Sequence, residues 1–201
     1  MDFNAAVANL TKNGFNVVVA ENKADALQAA LMLIPTDASV GFGGSATIKE
    51  LGLPDALRER GNETLYRPFF PESEHAAIMK KSVFADWFVS GTNAITEEGE
   101  LVNIDGNANR VASQLFGGKY TLIIAGENKI VKDLAEGIIR ARTTAARLNC
   151  VRFGKNNPCV YGGDCRNCKT ENTICNVTTV LHHPTRAKTF YVVLVREFLG
   201  Y

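Results

Sequence analysis

The sequence predicts an α/β domain: a sheet of mostly parallel strands with helices on its faces, one antiparallel hairpin, and a cysteine-rich loop near the carboxyl end. Three observations carry this prediction. Apolar, β-branched runs of strand length alternate with segments of helical periodicity, as in an α/β sheet. Runs rich in Gly and Asn follow several of those strands. Four of the five cysteines fall between residues 159 and 175. The whole of 1–201 reads as one domain, with the cysteine loop at about 150–176.

The elements follow in order. Residues 3–12 place Phe3, Ala6, Val7 and Leu10 at helical spacing, and Asn13-Gly14 ends that helix. Residues 15–20 are Val-rich and read as a buried strand. Helical spacing returns over 23–34 through Ala24, Leu27, Leu31 and Ile34, and Pro35 stops it. A short strand over 38–42 leads to two short helices, 47–52 and 55–60, the second opened by Pro54. Residues 64–66 form a third strand, 67–71 are proline-flanked and irregular, and 72–82 read as helix. A strand over 85–89 is followed by one starting at Asn93, a turn at Glu97-Glu98-Gly99-Glu100, and a returning strand over 101–104, a hairpin. Then come a helix over 108–116, the clearest buried strand over 120–125, and a long helix over 130–148 with Ile130, Leu134, Ile138 and Ile139 on one stripe. Beyond the cysteine loop, 177–181 and 190–195 are late strands.

Composition excludes several classes of function. The net charge is +1 over 201 residues, which supplies no field for nucleic acid or anionic lipid. No apolar run reaches the length of a membrane span. The first ten residues lack the basic-then-apolar order of a secretory signal, so a cytoplasmic setting is expected.

In open α/β sheets ligands gather at the carboxyl ends of strands, and three loops there carry candidate chemistry. Gly41-Phe42-Gly43-Gly44-Ser45-Ala46-Thr47 runs from strand to helix. Gly43 and Gly44 allow close backbone approach, and Ser45 and Thr47 add hydroxyls, a set suited to a carboxylate or phosphate. It is neither a Walker loop nor a dinucleotide fingerprint, and Ser45 also reads as a plain helix cap. Ser90-Gly91-Thr92-Asn93 precedes Glu97 and Glu98, carboxylates that are candidate bases or nucleophiles as well as ordinary turn residues. Asn103-Ile104-Asp105-Gly106-Asn107-Ala108-Asn109-Arg110 is dense in polar groups, and Arg110 has the fork geometry that grips a carboxylate. Lys129, after the strongest strand, brings a cation to the same rim.

Cys159, Cys165, Cys168 and Cys175 are spaced C-x5-C-x2-C-x6-C, with Cys150 upstream. Four soft thiolates in one loop suit zinc or an iron–sulfur cluster, and the spacing does not choose between them. Unmetallated thiols are the alternative, and the odd cysteine count disfavours paired disulfides. His75, His182 and His183 have no spacing that ties them to the loop.

The stretches Val40-Gly41-Phe42-Gly43-Gly44-Ser45, 90–99, 101–111 and 125–131, in this order, together with the loop ending Thr173-Ile174-Cys175-Asn176, resemble the LUD-domain (lactate utilisation C-type) family. The resemblance implies a Rossmann-like three-layer α/β/α sheet, similar to that of the sugar-isomerase and CoA-transferase superfamily. It also implies a role in oxidising lactate alongside separate iron–sulfur partner proteins. The leading expectation is an accessory or redox subunit of 2-hydroxy-acid utilisation. Its pocket for a small anionic metabolite would use Gly43, Gly44, Ser45, Thr47, Asn93, Asp105, Asn107, Arg110 and Lys129, with a metal or cluster in the cysteine loop. The alternatives are a hydrolase or transferase for acyl-CoA or sugar phosphates, with Glu97 or Glu98 catalytic, and a non-catalytic binding or assembly module.

Overall fold

The computed structural model describes residues 1–162 and 165–201; Gly163 and Asp164 of the cysteine loop lie outside the described residues. In chain order the first half contains α1 (Phe3–Lys12), β1 (Asn16–Ala20), α2 (Lys23–Leu33), β2 (Val40–Phe42), α3 (Ala46–Leu51), α4 (Leu53–Glu59), β3 (Thr64–Leu65), α5 (His75–Ser82) and β4 (Trp87–Ser90). The second half contains β5 (Ala94–Thr96), β6 (Leu101–Asp105), α6 (Asn109–Leu115), β7 (Tyr120–Gly126), β8 (Ile130–Val131), α7 (Leu134–Arg140), α8 (Arg147–Arg152), α9 (Pro158–Gly162), β9 (Val177–Leu181) and β10 (Thr189–Val195).

Six strands form an all-parallel sheet in the order β1-β10-β7-β4-β2-β3. The central strands are buried on both faces, and their side chains alternate between them. Leu122 and Ile124 of β7, with Val193 and Val195 of β10, face Ala26 and Ala30 of α2 and Ile34 just after it, Ile48 of α3 and Leu53 and Leu57 of α4. Ile123, Ala125, Phe190, Val192 and Leu194 point the other way, onto Phe3, Ala6 and Leu10 of α1. Helices thus cover both faces of a mostly parallel sheet, the arrangement expected of a Rossmann-like three-layer fold.

The antiparallel pairing expected of the hairpin is present, but in a second sheet of order β8-β5-β6-β9. Here β9 pairs antiparallel with β6, and β8 parallel with β5. Ile95, Leu101 and Ile130 of this sheet join α1 against the main sheet, and Ala94, Val102, Ile104 and Val131 face Leu134, Ile138 and Ala141 on its outer side.

The long helix expected over 130–148 is divided. Ile130 and Val131 pair with Ile95 and Thr96 as a strand. Asp133 then caps α7 by accepting from Glu136 N at 3.0 Å, while Glu136 Oε2 accepts from Lys132 N at 3.1 Å. These two bonds, at the N-cap and the residue before it, fix the helix start four residues late. A π-helical segment, Ala141–Ala146, carries α7 into α8. Among the described residues no helix is long and apolar enough to cross a membrane.

Candidate functional site

Because the six strands run parallel, the loops after β2, β4, β7 and β10 meet along one edge of the sheet. Their approach is close. A Cβ on Gly91 would stand 3.0 Å from Ser45 Oγ and 3.4 Å from Lys129 Nζ, and one on Gly43 would stand 3.1 Å from Arg110 Cγ. Glycine at these two positions lets three loops share a small volume. Ser45 caps α3, accepting from Ile48 N at 3.3 Å. α3 is a single short helix of six residues, so the hydroxyls and cations beside it, rather than its end, define the site.

Lys129 follows β7 in a 3-10 turn and is only 2% exposed. Its Nζ donates to Thr47 Oγ1 at 2.7 Å, and that hydroxyl is 3.3 Å from the Leu199 carbonyl, to which it donates. Among the described residues no carboxylate forms an ion pair with it. Burial, followed by the nearby Arg140 and Arg110 cations, pushes the amine down to about 7, against a weaker pull from Glu50.

Arg110, from α6, is engaged by its own neighbours. Its Nε is 3.4 Å from Asp105 Oδ2, and its Nη2 donates to the Ile104 carbonyl at 2.7 Å and to Asn93 Oδ1 at 3.3 Å. Its Nη1 donates to Asn103 Oδ1. Asp105 in turn accepts from Asn107 N at 3.2 Å and Val111 N at 3.3 Å. The fork anticipated as a carboxylate clamp therefore organises the loop, with one Nη1 proton left for a ligand. Asn93 Oδ1 also accepts from Ile104 N at 2.7 Å, which leaves its amide N–H groups available. Arg140, on α7, donates to the carbonyls of Asn93 and Asn128.

Ser45, Thr47, Gly91, Asn93, Arg110 and Lys129 line a chamber of about 40 Å³. It shares Gly44, Arg110 and Asn149 with a cleft of about 530 Å³ bordered by Asp105, Asn107, Arg67, Arg152 and Lys155. The anticipated residues Gly44, Ser45, Thr47, Asn93, Asp105, Asn107, Arg110 and Lys129 thus line the chamber or the adjoining cleft, and Gly43 lines a third hollow of about 250 Å³ that shares Gly44 and Ser45 with the chamber. Arg67, Arg140, Asn149, Arg152 and Tyr201 belong to the same surroundings. They come from segments remote in sequence and carry no local motif, so only their cationic, polar or aromatic character was available as a signal.

Glu97 and Glu98 are elsewhere. Glu97 Oε1 accepts from Asp2 N at 2.7 Å, and the Glu97 and Glu98 carbonyls accept from Asn9 and Asn13 of the α1 region. The turn packs on α1, and neither residue borders the chamber or the cleft. The geometry gives no support to a catalytic role for them. Glu97→Gln and Glu98→Gln are expected to leave ligand affinity unchanged, as calorimetry will read directly.

The cysteine loop forms the far wall of the cleft through Asn172, Thr173, Ile174 and Asn176. Asn176 N donates to the Asp105 carbonyl at 3.1 Å and its Nδ2 to the Gly106 carbonyl at 2.9 Å, tying the loop to the end of β6. All five cysteines are unbridged. Cys150, which the spacing left without a role, is buried on α8, and its Sγ accepts from Asn157 Nδ2 at 3.2 Å. Burial raises the Cys159 thiol, with neighbouring Cys150 and Cys168 adding to the effect. Burial also pushes the Cys175 thiol up to about 11, with Cys150, Cys165 and Cys168 contributing and Arg142 opposing. The thiols thus influence one another electrostatically, although among the described residues no three metal-ligating side chains converge on a common point. The histidines lie apart from the loop: His182 pairs with Glu100, His183 contacts the Asn13 carbonyl and His75 the Phe70 carbonyl.

Comparison with known proteins places this architecture. No curated protein matches the chain. A crystal structure of a DUF162 family protein from Deinococcus radiodurans superposes with a TM-score of 0.50 at 14% identity, covering 96% of this chain and 94% of that one, and shares its fold. The LUD domain family model matches residues 3–195. The chain belongs to the LUD-domain family, which is associated with lactate utilisation.

Proposed function

We propose that the chamber at the strand ends binds the carboxylate of a small 2-hydroxy or 2-oxo acid, and that the protein serves lactate-type utilisation as an accessory or redox subunit. The observation that carries this reading is Lys129: a buried amine, bonded among the described residues only to a hydroxyl, with two guanidinium groups and the more weakly acting Glu50 carboxylate around it. Burying a cation without a counter-charge is costly unless a ligand supplies the charge. A chamber of about 40 Å³ suits a carboxylate and its first substituents. Asn93, Ser45 and the remaining Arg110 proton are hydrogen-bond donors for its oxygens. Calorimetry with lactate and pyruvate tests the reading. Heats that vanish in Lys129→Met support it, and silence from the unaltered protein with both acids removes it.

The cysteine loop would hold zinc or an iron–sulfur cluster through Cys159, Cys165, Cys168 and Cys175, with Cys150 beside them. The donor chemistry fits either, and loading would draw the loop together, since metal binding and local folding are coupled. A cluster would supply an electron path to iron–sulfur partner proteins, whereas zinc would clamp the cleft wall. Metal analysis with a visible spectrum of anaerobically purified protein distinguishes them. Iron with broad visible absorption means a cluster, and zinc without colour means a clamp. A folded protein with neither refutes metal binding.

The wider cleft favours a second reading. Arg67, Arg152 and Lys155 border about 530 Å³, room for the phosphates of an acyl-CoA or sugar phosphate. Calorimetry with those compounds separates a transferase or hydrolase from a small-acid site, and binding without turnover indicates a ligand-sensing or assembly module.

A further inference from the structure

We propose that Lys129 is a nucleophile that condenses with the carbonyl of a small 2-oxo acid to form an imine. The inference rests on the chamber being an anion site and goes beyond it by assigning a covalent step.

The local bonding is what a free amine requires. Thr47 Oγ1 donates its proton to the Leu199 carbonyl and so accepts from Lys129 Nζ. That bond uses an N–H of the lysine and leaves the nitrogen lone pair unengaged. A Cβ on Gly91 would stand 3.4 Å from Nζ, so the absence of a side chain there keeps the approach to the nitrogen open. The charged groups around the amine are Arg140 on α7, Arg110 on α6 and the more weakly acting Glu50 on α3. Guanidinium neighbours and burial together favour the neutral, nucleophilic amine, a recognised route to lysine activation. The same guanidinium groups attract the carboxylate of an incoming acid, setting its adjacent carbonyl against Nζ.

The step balances without an external oxidant or reductant. The nitrogen lone pair adds to the carbonyl carbon, and the carbonyl π pair moves to oxygen, which takes a proton from the nitrogen. The carbinolamine then breaks its C–O bond, the hydroxyl leaving as water with the nitrogen's remaining proton, and the nitrogen pair forms the C=N bond. Water reverses the sequence.

Lys188 provides an internal comparison. It is also buried, and burial lowers it to about 8. Its Nζ donates to the Ser113 carbonyl, and it borders neither the chamber nor the cleft.

The test is reductive trapping of the full-length protein with pyruvate, and separately glyoxylate, in the presence of cyanoborohydride, followed by peptide mass mapping. The expected result is one reduced adduct per chain on Lys129, several-fold above Lys188 and the surface lysines, and its absence in Lys129→Arg. At saturating pyruvate, adduct formation should increase as pH rises above about 7, whereas lactate, which has no ketone carbonyl, binds without labelling. Calorimetric binding of pyruvate without an adduct on Lys129 overturns the imine and leaves the anion site standing. Equal labelling of all lysines, or undiminished labelling in Lys129→Arg, also overturns it. No binding of any acid removes the anion site itself.

Discussion

Lys129→Met should fold more stably than the unaltered protein at pH 6 while losing affinity for small carboxylates. An unfolded lysine titrates near 10.5, and the buried one near 7. Because the folded-state value is the lower, the unfolded chain binds more protons between those values. Stability from this group therefore rises with pH across that window. Below about pH 7 the full penalty applies, on the order of 3–5 kcal/mol, and above about 10.5 both states are neutral and it disappears. Methionine fills a similar volume without the charge, at the loss of the bond to Thr47, worth about 1 kcal/mol. The expected net gain is thus a few kcal/mol at pH 6 and shrinks steadily above pH 8. Urea unfolding at several pH values measures it. A destabilised variant at pH 6 would mean that the ammonium has a counter-charge in the folded protein. The same titration governs ligands: non-covalent carboxylate binding draws a proton onto Lys129, so lactate affinity should fall as pH rises through about 7.

The burial of Lys129 also explains why the position of the candidate site was legible in the sequence while its working parts were not. Strands such as β7 announce themselves because a run like Leu122-Ile123-Ile124 has few alternatives to a sheet interior. Once the strands are placed, the loops following β2, β4 and β7 must share an edge, which is why Ser45, Asn93 and Lys129 come together as expected. Sequence does not show depth. Lys129 reads as a rim cation, and its burial depends on Leu199 and Thr47 closing around it from the far end of the chain and from α3. Arg110 reads as a free fork, and its commitment to Asp105, Asn103 and Asn93 emerges only when β6 and α6 have turned back on each other. Glu97 and Glu98 follow β5, which belongs to the second sheet, so the strand-end rule applied to the first sheet does not carry over to them. The pairing of β9 with β6 likewise joins segments separated by the cysteine loop, a contact that local periodicity does not encode.

Arg110→Met should be the most destabilising single change in the site, because it removes one partner of a buried pair. The two side chains are 12% and 8% exposed, and breaking such a pair by truncating one side costs about 3–5 kcal/mol, through the charge left behind. Asp105 would retain the backbone N–H groups of Asn107 and Val111, which places the expected loss toward the lower end of that range. Lysine is not an adequate replacement, since one ammonium does not reach Asp105, Asn103, Ile104 and Asn93 together. The cycle with Asp105→Asn separates charge from packing: if the uncompensated carboxylate is the main penalty, the double variant should be less destabilised than the sum of the single ones. Additive losses would instead assign Arg110 a packing role. Ligand affinity provides the link to function. Arg110 holds Asn93 Oδ1, and through it the orientation of the Asn93 amide at the chamber. Arg110→Met should therefore weaken carboxylate binding even where the variant remains folded, and Asn93→Ala should weaken it without the large loss of stability. If Asn93→Ala binds lactate normally, the guanidinium acts on the ligand by its own charge rather than by orienting its neighbour.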